Sequence, residues 1–216
     1  MPRLDERLKT VAKQIRCRVH ADIGSDHAYL LKALLTAGRI EQGIAIENKV
    51  QPWRNSQATL AGLNADVRFA EGVLGLRPGE ADSLSICGMG AATIVRILQT
   101  APARLPDRLI IQPNRCPEDV RQWALESNFH LIDEQLAIGH WPYNILVLQR
   151  SSETSDPAYP NQNPEIQVLF GPHLLKRRDP RWLALLNEEF NYLSKMPRLT
   201  KQATDRRDAI QKVLKM

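Results

Sequence analysis

The 216-residue sequence predicts an α/β fold, an open and mostly parallel sheet with one antiparallel strand, followed by a small helical hairpin domain. Three observations carry that prediction. Strand-like and helical patterns alternate along residues 19–128. The first strand runs into a lone glycine turn, Asp22-Ile23-Gly24-Ser25-Asp26-His27, of the kind that lets backbone approach a ligand at the carboxyl edge of such a sheet. The alternation then closes on two consecutive strands, which places a reversed strand at or near one edge.

Taken in order, Leu4, Leu8 and Val11 share one helical face, so a short amphipathic helix precedes the first strand. A strand over 19–23, a helix over 29–37, a strand over 42–46, a helix over 51–63 with Pro52 in its first turn, and a strand over 66–70 follow. The pattern continues with strand 83–87, helix 91–99, strand 108–112, helix 117–128, and strands 131–138 and 143–150. Residues 151–164 are polar and contain Pro157, Pro160 and Pro164, which marks a linker. The predicted organisation is a ligand-binding domain over 1–153, a linker over 154–164 and a helical domain over 165–216. In the last, Trp182, Leu186, Glu189, Leu193 and Met196 recur at helical spacing, Pro197 interrupts, and Leu199, Ala203, Arg206, Ile210 and Val213 resume it. An antiparallel pair of helices is the simplest outcome.

The net charge of +5 is unevenly distributed: residues 1–164 hold 18 basic and 18 acidic side chains, whereas 165–216 hold 11 and 6. A polyanionic partner for the tail and a merely solvated helical surface both fit that excess. The apolar runs fall short of the roughly 18 residues that span a membrane. The first twenty residues alternate charged and apolar side chains, so a soluble cytoplasmic protein without a signal peptide is expected. Cys17, Cys87 and Cys116 are far apart, which encodes neither a disulfide framework nor a zinc site, and no metal is expected.

The chemistry gathers at the ends of the strands. Around Gly24 there is no Gly-x-Gly-x-x-Gly phosphate cradle; Asp22, Asp26 and His27 crowd the turn instead. Carboxylates repel a pyrophosphate but suit amino, hydroxyl and cationic groups, all of which S-adenosylmethionine carries. Glu47 ends the second strand, where an acidic residue accepts from both ribose hydroxyls of a nucleoside, although a helix N-terminal carboxylate would also be favoured there. Glu71-Gly72 ends the third strand, where a carboxylate can accept from an adenine amino group or simply mark a turn. At the fourth, Gly88 and Gly90 admit close backbone and Met89 can lie against a flat ring, while Cys87 reads as a small buried hydrophobe. Gln112-Pro113-Asn114 ends the fifth, with paired donors and acceptors suited to a nucleobase edge.

These segments, with Ile94, Ile97-Leu98 and the tail element Phe170-Gly171-Pro172-His173-Leu174-Leu175, make the chain resemble the bacterial tRNA adenine-22 N1-methyltransferase family over nearly its whole length. The resemblance implies a Rossmann-like class I S-adenosylmethionine-dependent methyltransferase with a coiled-coil-like C-terminal domain that holds tRNA. It implies that Asp22, Gly24, Ser25, Asp26 and His27 line the methionine side, with Arg7 meeting the methionine carboxylate. Glu47 and Asn48 would hold the ribose, Glu71 and Gly72 the adenine, and Cys87, Gly88, Met89 and Gly90 the cofactor floor. Two departures are visible: Gly88-Met89-Gly90-Ala91 stands where the family has Gly-Met-Gly-Gly, and Ala70-Glu71-Gly72-Val73 where it has Gly-Asp-Gly-Leu.

In neutral adenine N1 carries a lone pair and no proton, so the implied reaction needs no general base and rests on positioning, with Asp26, Gln112 and Asn114 as the positioning residues. The target base must leave its stack, at a cost of about a few kcal/mol. Stacking by Tyr29 or by Tyr143, in the loop His140-Trp141-Pro142-Tyr143, and edge contacts from Gln112, Pro113 and Asn114 are the expected compensation. Lys176, Arg177, Arg178 and Arg181 would meet tRNA phosphates, and a monomer with no obligate protein partner and no membrane contact is expected. Three alternatives remain open at this stage: the same fold acting on another RNA site or a small molecule, a non-catalytic RNA-binding protein with a vestigial methyltransferase fold, and an NAD-linked oxidoreductase, which the lone-glycine turn disfavours.

Overall fold

The computed structural model describes residues 4–139, 142–160 and 164–216; His140, Trp141 and part of the predicted linker lie outside the described residues. The chain divides into two compact units, Met1–Pro160 and Asn161–Met216.

The first unit opens with α1 (Glu6–Lys13), started by Asp5, whose carboxylate accepts from the Leu8 N–H at 2.7 Å. Then follow β1 (Val19–Ile23), α2 (Tyr29–Thr36), β2 (Gln42–Glu47), α3 (Val50–Leu60), β3 (Ala65–Phe69) and β4 (Ser83–Met89). The unit continues with α4 (Ala91–Thr100), β5 (Arg108–Pro113), α5 (Pro117–Leu125), β6 (Phe129–Ile138) and β7 (Pro142–Arg150). These seven strands form one sheet in the order β3-β2-β1-β4-β5-β7-β6. The pairs from β3 through β5 are parallel, and β7 runs against both β5 and β6, so the reversed strand lies second from the edge. The sheet thus has the expected Rossmann-like plan.

β1 is buried at every position, as befits a central strand covered on both faces, whereas edge strand β3 is largely accessible. Beside the helices, Leu30, Leu31 and Leu34 of α2 pack with Val11 and Ile15 in one core cluster. The observed elements differ from expectation mainly at their ends. The third helix stops at Leu60, just before Gly62 at φ 77°, and α5 stops at Leu125 rather than 128. β4 runs on to Met89 through a bulge between Cys87 and Met89, where Gly88 takes φ 78°. On the far side of the sheet from β1, Arg121 and Glu134 form a fully buried ion pair at 2.7 Å. Asp156 pins the following segment to β6 by accepting from the Leu131 N–H at 2.7 Å.

The second unit holds α6 (Glu165–Phe170), α7 (Pro172–Arg177), α8 (Pro180–Ser194) and α9 (Lys201–Lys215). The two long helices are the predicted pair, capped by Asp179 and Thr200. Trp182 and Leu186 of α8 and Ala209, Ile210 and Val213 of α9 are buried. Arg206 grips Glu189 through two hydrogen bonds of 2.9 and 3.0 Å. Arg178, just before α8, donates to the Val213 carbonyl near the end of α9 at 3.1 Å, which makes the pair antiparallel. The six-residue helices α6 and α7, joined at Gly171, are too short to leave a periodic signal, and spacing alone did not announce them.

Candidate active site

The strand order reverses direction between β1 and β4, and in an open α/β sheet ligands bind in the crevice outside the carboxyl ends of the strands at that point. There Gly24 has φ 72°, and its N–H extends the ladder to the Ile46 carbonyl at 2.9 Å. A Cβ at Gly24 would lie 2.1 Å from the Met89 methyl carbon, so the backbone favours glycine and any side chain there would also have to displace the flexible end of Met89. Asp26 and Ala28 also take left-handed conformations, φ 55° and 51°, which are costly without glycine and persist only where the surroundings fix them. Part of that fixing is visible: the Asp26 N–H donates to Glu47 Oε1 at 2.6 Å.

Two carboxylates of this turn region are buried. Asp22, 4% exposed, accepts from Ser25 Oγ at 2.6 Å and from Ser85 Oγ at 2.5 Å. Burial pushes its pKa up, opposed by those two hydroxyls and by the Arg7 guanidinium. Glu47, 5% exposed, is pushed up to about 7, first by burial and further by the charges of Asp22 and Asp26, against the hydrogen bond from Asp26. Burial also raises the Cys87 thiol well above its ordinary range, which disfavours a thiolate nucleophile.

A cavity of about 400 Å³ opens on this edge. It brings together Asp22, Gly24, Ser25, Asp26 and His27 from the turn, Tyr29 from α2, Cys87 and Gly88 from β4, and Arg7 from α1. Asp5 and Leu8 complete the α1 wall; sequence reasoning missed both, since nothing in an isolated amphipathic helix says which loop it will cover. The rings of His27 and Tyr29 stack with centroids 5.2 Å apart, and Tyr29 is 41% exposed.

Gln112 departs from expectation. Rather than offering its amide to a nucleobase, it is fully buried: Oε1 accepts from Arg7 Nη1 at 2.6 Å and from the Gly88 N–H at 3.0 Å, while Nε2 donates to the Pro113 carbonyl at 2.9 Å. A buried amide satisfied in this way fixes the loop instead of reading a ligand. Asn114 is exposed and locks the same loop, its Nδ2 donating to the Gly88 carbonyl at 2.6 Å and its N–H to the Met89 carbonyl at 2.8 Å. Arg7, which lines the cavity directly, is thus held in place by Gln112, with its guanidinium 5.8 Å from the Tyr143 ring centroid.

The remaining predicted residues lie around this cavity or apart from it. Asn48 is exposed just beyond Glu47, and Gly90 is the N-cap of α4. Glu71 is exposed, and Gly72 adopts φ 53° with a would-be Cβ 3.0 Å from Ile97, so packing against α4 is reason enough for that glycine. In the second unit Lys176 and Arg177 are exposed, Arg178 is engaged with Val213, and Arg181 pairs with Asp179 at 2.9 Å. Among the described residues no cluster of His, Cys, Asp and Glu is arranged to hold a metal ion.

Residues 20–216 match the family model described as tRNA (adenine(22)-N(1))-methyltransferase. The chain is 33% identical over 219 residues to the tRNA (adenine(22)-N(1))-methyltransferase of Bacillus subtilis, covering 98% of this chain and 91% of that protein. Its structure is similar to the crystal structure of the B. subtilis m1A22 tRNA methyltransferase, with TM-score 0.88 and 30% identity over 99% of this chain and 100% of that one. It is also similar to a Streptococcus pneumoniae protein crystallised in complex with S-adenosyl-L-methionine, with TM-score 0.86 and 28% identity over 98% of this chain and 100% of that one.

Replacing Gly24 by alanine should destabilise the protein by about 1–2 kcal/mol from the left-handed backbone alone, and by more while Met89 keeps its place over the turn. In urea denaturation, Gly24→Ala combined with Met89→Ala should show a favourable coupling, because the second change removes the steric part and leaves the backbone part. Strict additivity would mean that Met89 does not press on Gly24.

Proposed function

The chain belongs to the tRNA (adenine(22)-N(1))-methyltransferase family, and from that membership we propose how its residues divide the work of methyl transfer from S-adenosylmethionine to N1 of adenine 22 in tRNA. The observation that carries the assignment is the carboxylate-flanked turn at Gly24. Its donor set fits the cofactor: ionised Asp22 and Glu47 are acceptor-only groups suited to an ammonium and to ribose hydroxyls, and a lone glycine among carboxylates does not suit a pyrophosphate. Asp22, Gly24, Ser25, Asp26, His27 and Arg7 would hold the methionine end. Glu47 and Asn48 would hold the ribose, Glu71 and Gly72 the adenine, and the backbone from Cys87 to Gly90 the floor.

When bound, S-adenosylmethionine supplies an electrophilic methyl group on a cationic sulfur. Because adenine N1 has a free lone pair, the protein's task is to orient the base and exclude water, not to remove a proton. The Tyr29 face, backed by His27, offers a stacking platform for the extruded base, and Tyr143 beside Arg7 offers a second aromatic wall. Gln112 acts by holding Arg7 and Gly88, and exposed Asn114 presents the polar edge of the same locked loop.

Exposed Lys176, Arg177, Lys195, Arg198 and Lys201 in the second unit supply phosphate contacts that give affinity without sequence information. No helix among the described residues is long and apolar enough to cross a membrane. On this reading the protein works as a cytoplasmic monomer on tRNA.

Incubation with labelled S-adenosylmethionine and unmodified tRNA, followed by mapping of the methylated atom, should place the label on N1 of adenine 22; label on another atom overturns the assignment. Glu47 makes cofactor binding pH-dependent. Its carboxyl is protonated below about 7 in the free protein, and the ribose hydroxyls favour its ionised form. Affinity should therefore be full above that value and fall about tenfold from pH 8 to pH 6. Calorimetry should find that dependence flattened in Glu47→Gln, and an unchanged slope removes Glu47 from the site. Reversing Lys176, Arg177 and Arg198 to glutamate together should lower the slope of log affinity for tRNA against log salt by about three, with cofactor affinity unchanged; an unaltered slope rejects the tail's role.

A further inference from the structure

His20, the second residue of β1, is a titratable side chain outside the division of labour above. It is fully buried, and its imidazole bridges two serines of β4: Nδ1 lies 2.7 Å from Ser83 Oγ and Nε2 lies 2.9 Å from Ser85 Oγ. Beyond Ser85 stands Asp22 Oδ1 at 2.5 Å, and beyond Ser83 stands Cys17 Sγ at 3.1 Å. A single-file chain of polar groups thus crosses the buried face of the sheet and ends on a carboxylate of the cavity wall.

Proton counting gives this chain a direction. Burial keeps the imidazole neutral, lowering its pKa to about 3, so one ring nitrogen carries a proton and the other accepts. Each serine hydroxyl has one proton to give. If Asp22 is ionised, Ser85 must donate to it, so Ser85 accepts from Nε2–H, and Nδ1 accepts from Ser83, whose remaining lone pair faces the Cys17 thiol. In the opposite polarity Nδ1 bears the proton, Ser85 donates to Nε2, and Asp22 must itself be protonated to hold a contact of 2.5 Å. The tautomer of a histidine in the sheet and the ionisation of a carboxylate in the pocket are therefore one variable.

A central β-strand favours Val or Ile at such a position, and an imidazole is tolerated there only because both nitrogens are satisfied. We propose that His20 is a positioning residue for cofactor binding: as its Nε2–H tautomer it fixes Ser85 as a donor and so keeps Asp22 ionised and aimed into the cavity, ready for the cationic amino group of S-adenosylmethionine. This rests on the assignment of Asp22 to the methionine end.

Long-range proton–nitrogen correlation spectra of the full-length protein, labelled with nitrogen-15 in histidine, should show His20 protonated at Nε2 at neutral pH; protonation at Nδ1 overturns the proposal. In steady-state assays His20→Leu should raise KM for S-adenosylmethionine about tenfold, as loss of support for a charged hydrogen-bond partner does, while kcat and KM for tRNA change by less than roughly twofold. His20→Gln, whose amide sets an acceptor beside a donor as the imidazole does, should restore most of that loss. A lower melting temperature with unchanged KM means that His20 is only structural and overturns the role. If His20→Leu folds poorly, Ser85→Ala must give the same KM signature, and its failure to do so is equally fatal. Asp22→Asn separates the two claims. An unchanged KM there removes Asp22 from the cofactor site and the proposal with it, whereas a raised KM there with normal His20→Leu and Ser85→Ala sinks the role of His20 alone.

Discussion

Two carboxylates buried side by side at the ends of β1 and β2 are the constraint around which the first unit is arranged. Each would prefer water, burial raises the pKa of both, and the Asp22 charge raises that of Glu47 further. Asp22 is made tolerable by Ser25 and Ser85, and Glu47 by the backbone of Asp26. That last contact helps hold a turn in which three residues of five, Gly24, Asp26 and Ala28, sit in the left-handed region. Strain in the turn and desolvation of the acids are thus set against each other, and the result is an acceptor-rich turn whose Asp22, Ser25 and Asp26 line the cavity.

The loop after β5 shows a complementary use of polar groups. Gln112 joins the first helix to the fourth strand through Arg7 and Gly88, and Asn114 returns two further hydrogen bonds to the same strand end. Little in this loop is left to rearrange. The cavity wall is correspondingly drawn from four separate elements, each anchored in the sheet or against it.

Much of this was legible in the sequence, for identifiable reasons. Strand starts such as Val19, Gln42, Ser83 and Arg108 follow from local patterning, and the importance of Gly24 and Glu47 follows from their spacing along a βα unit. What could not be read depends on register. Nothing local pairs residue 20 with 83 and 85, and only the parallel alignment of β1 with β4 does so. The inward turn of Gln112 depends on a helix more than a hundred residues earlier, and the pairing of Arg121 with Glu134 depends on how α5 meets β6. The bulge at Gly88 is likewise a property of two strands together.

The reversed strand β7 has a consequence for how such a site can change over time. Because β7 runs against β5, with Leu146 opposite Ile111, its first residues and the last of β6 arrive at the edge of the sheet where β1, β4 and β5 finish. β6 and β7 can accept substitutions at those ends without touching the pairing of β1 with β2 and β4. Tyr143 on β7 and the Asp22, Glu47 and Gly88 positions on β1, β2 and β4 thereby stand on parts of one sheet that meet only through β5, so a change in either part need not pass to the other.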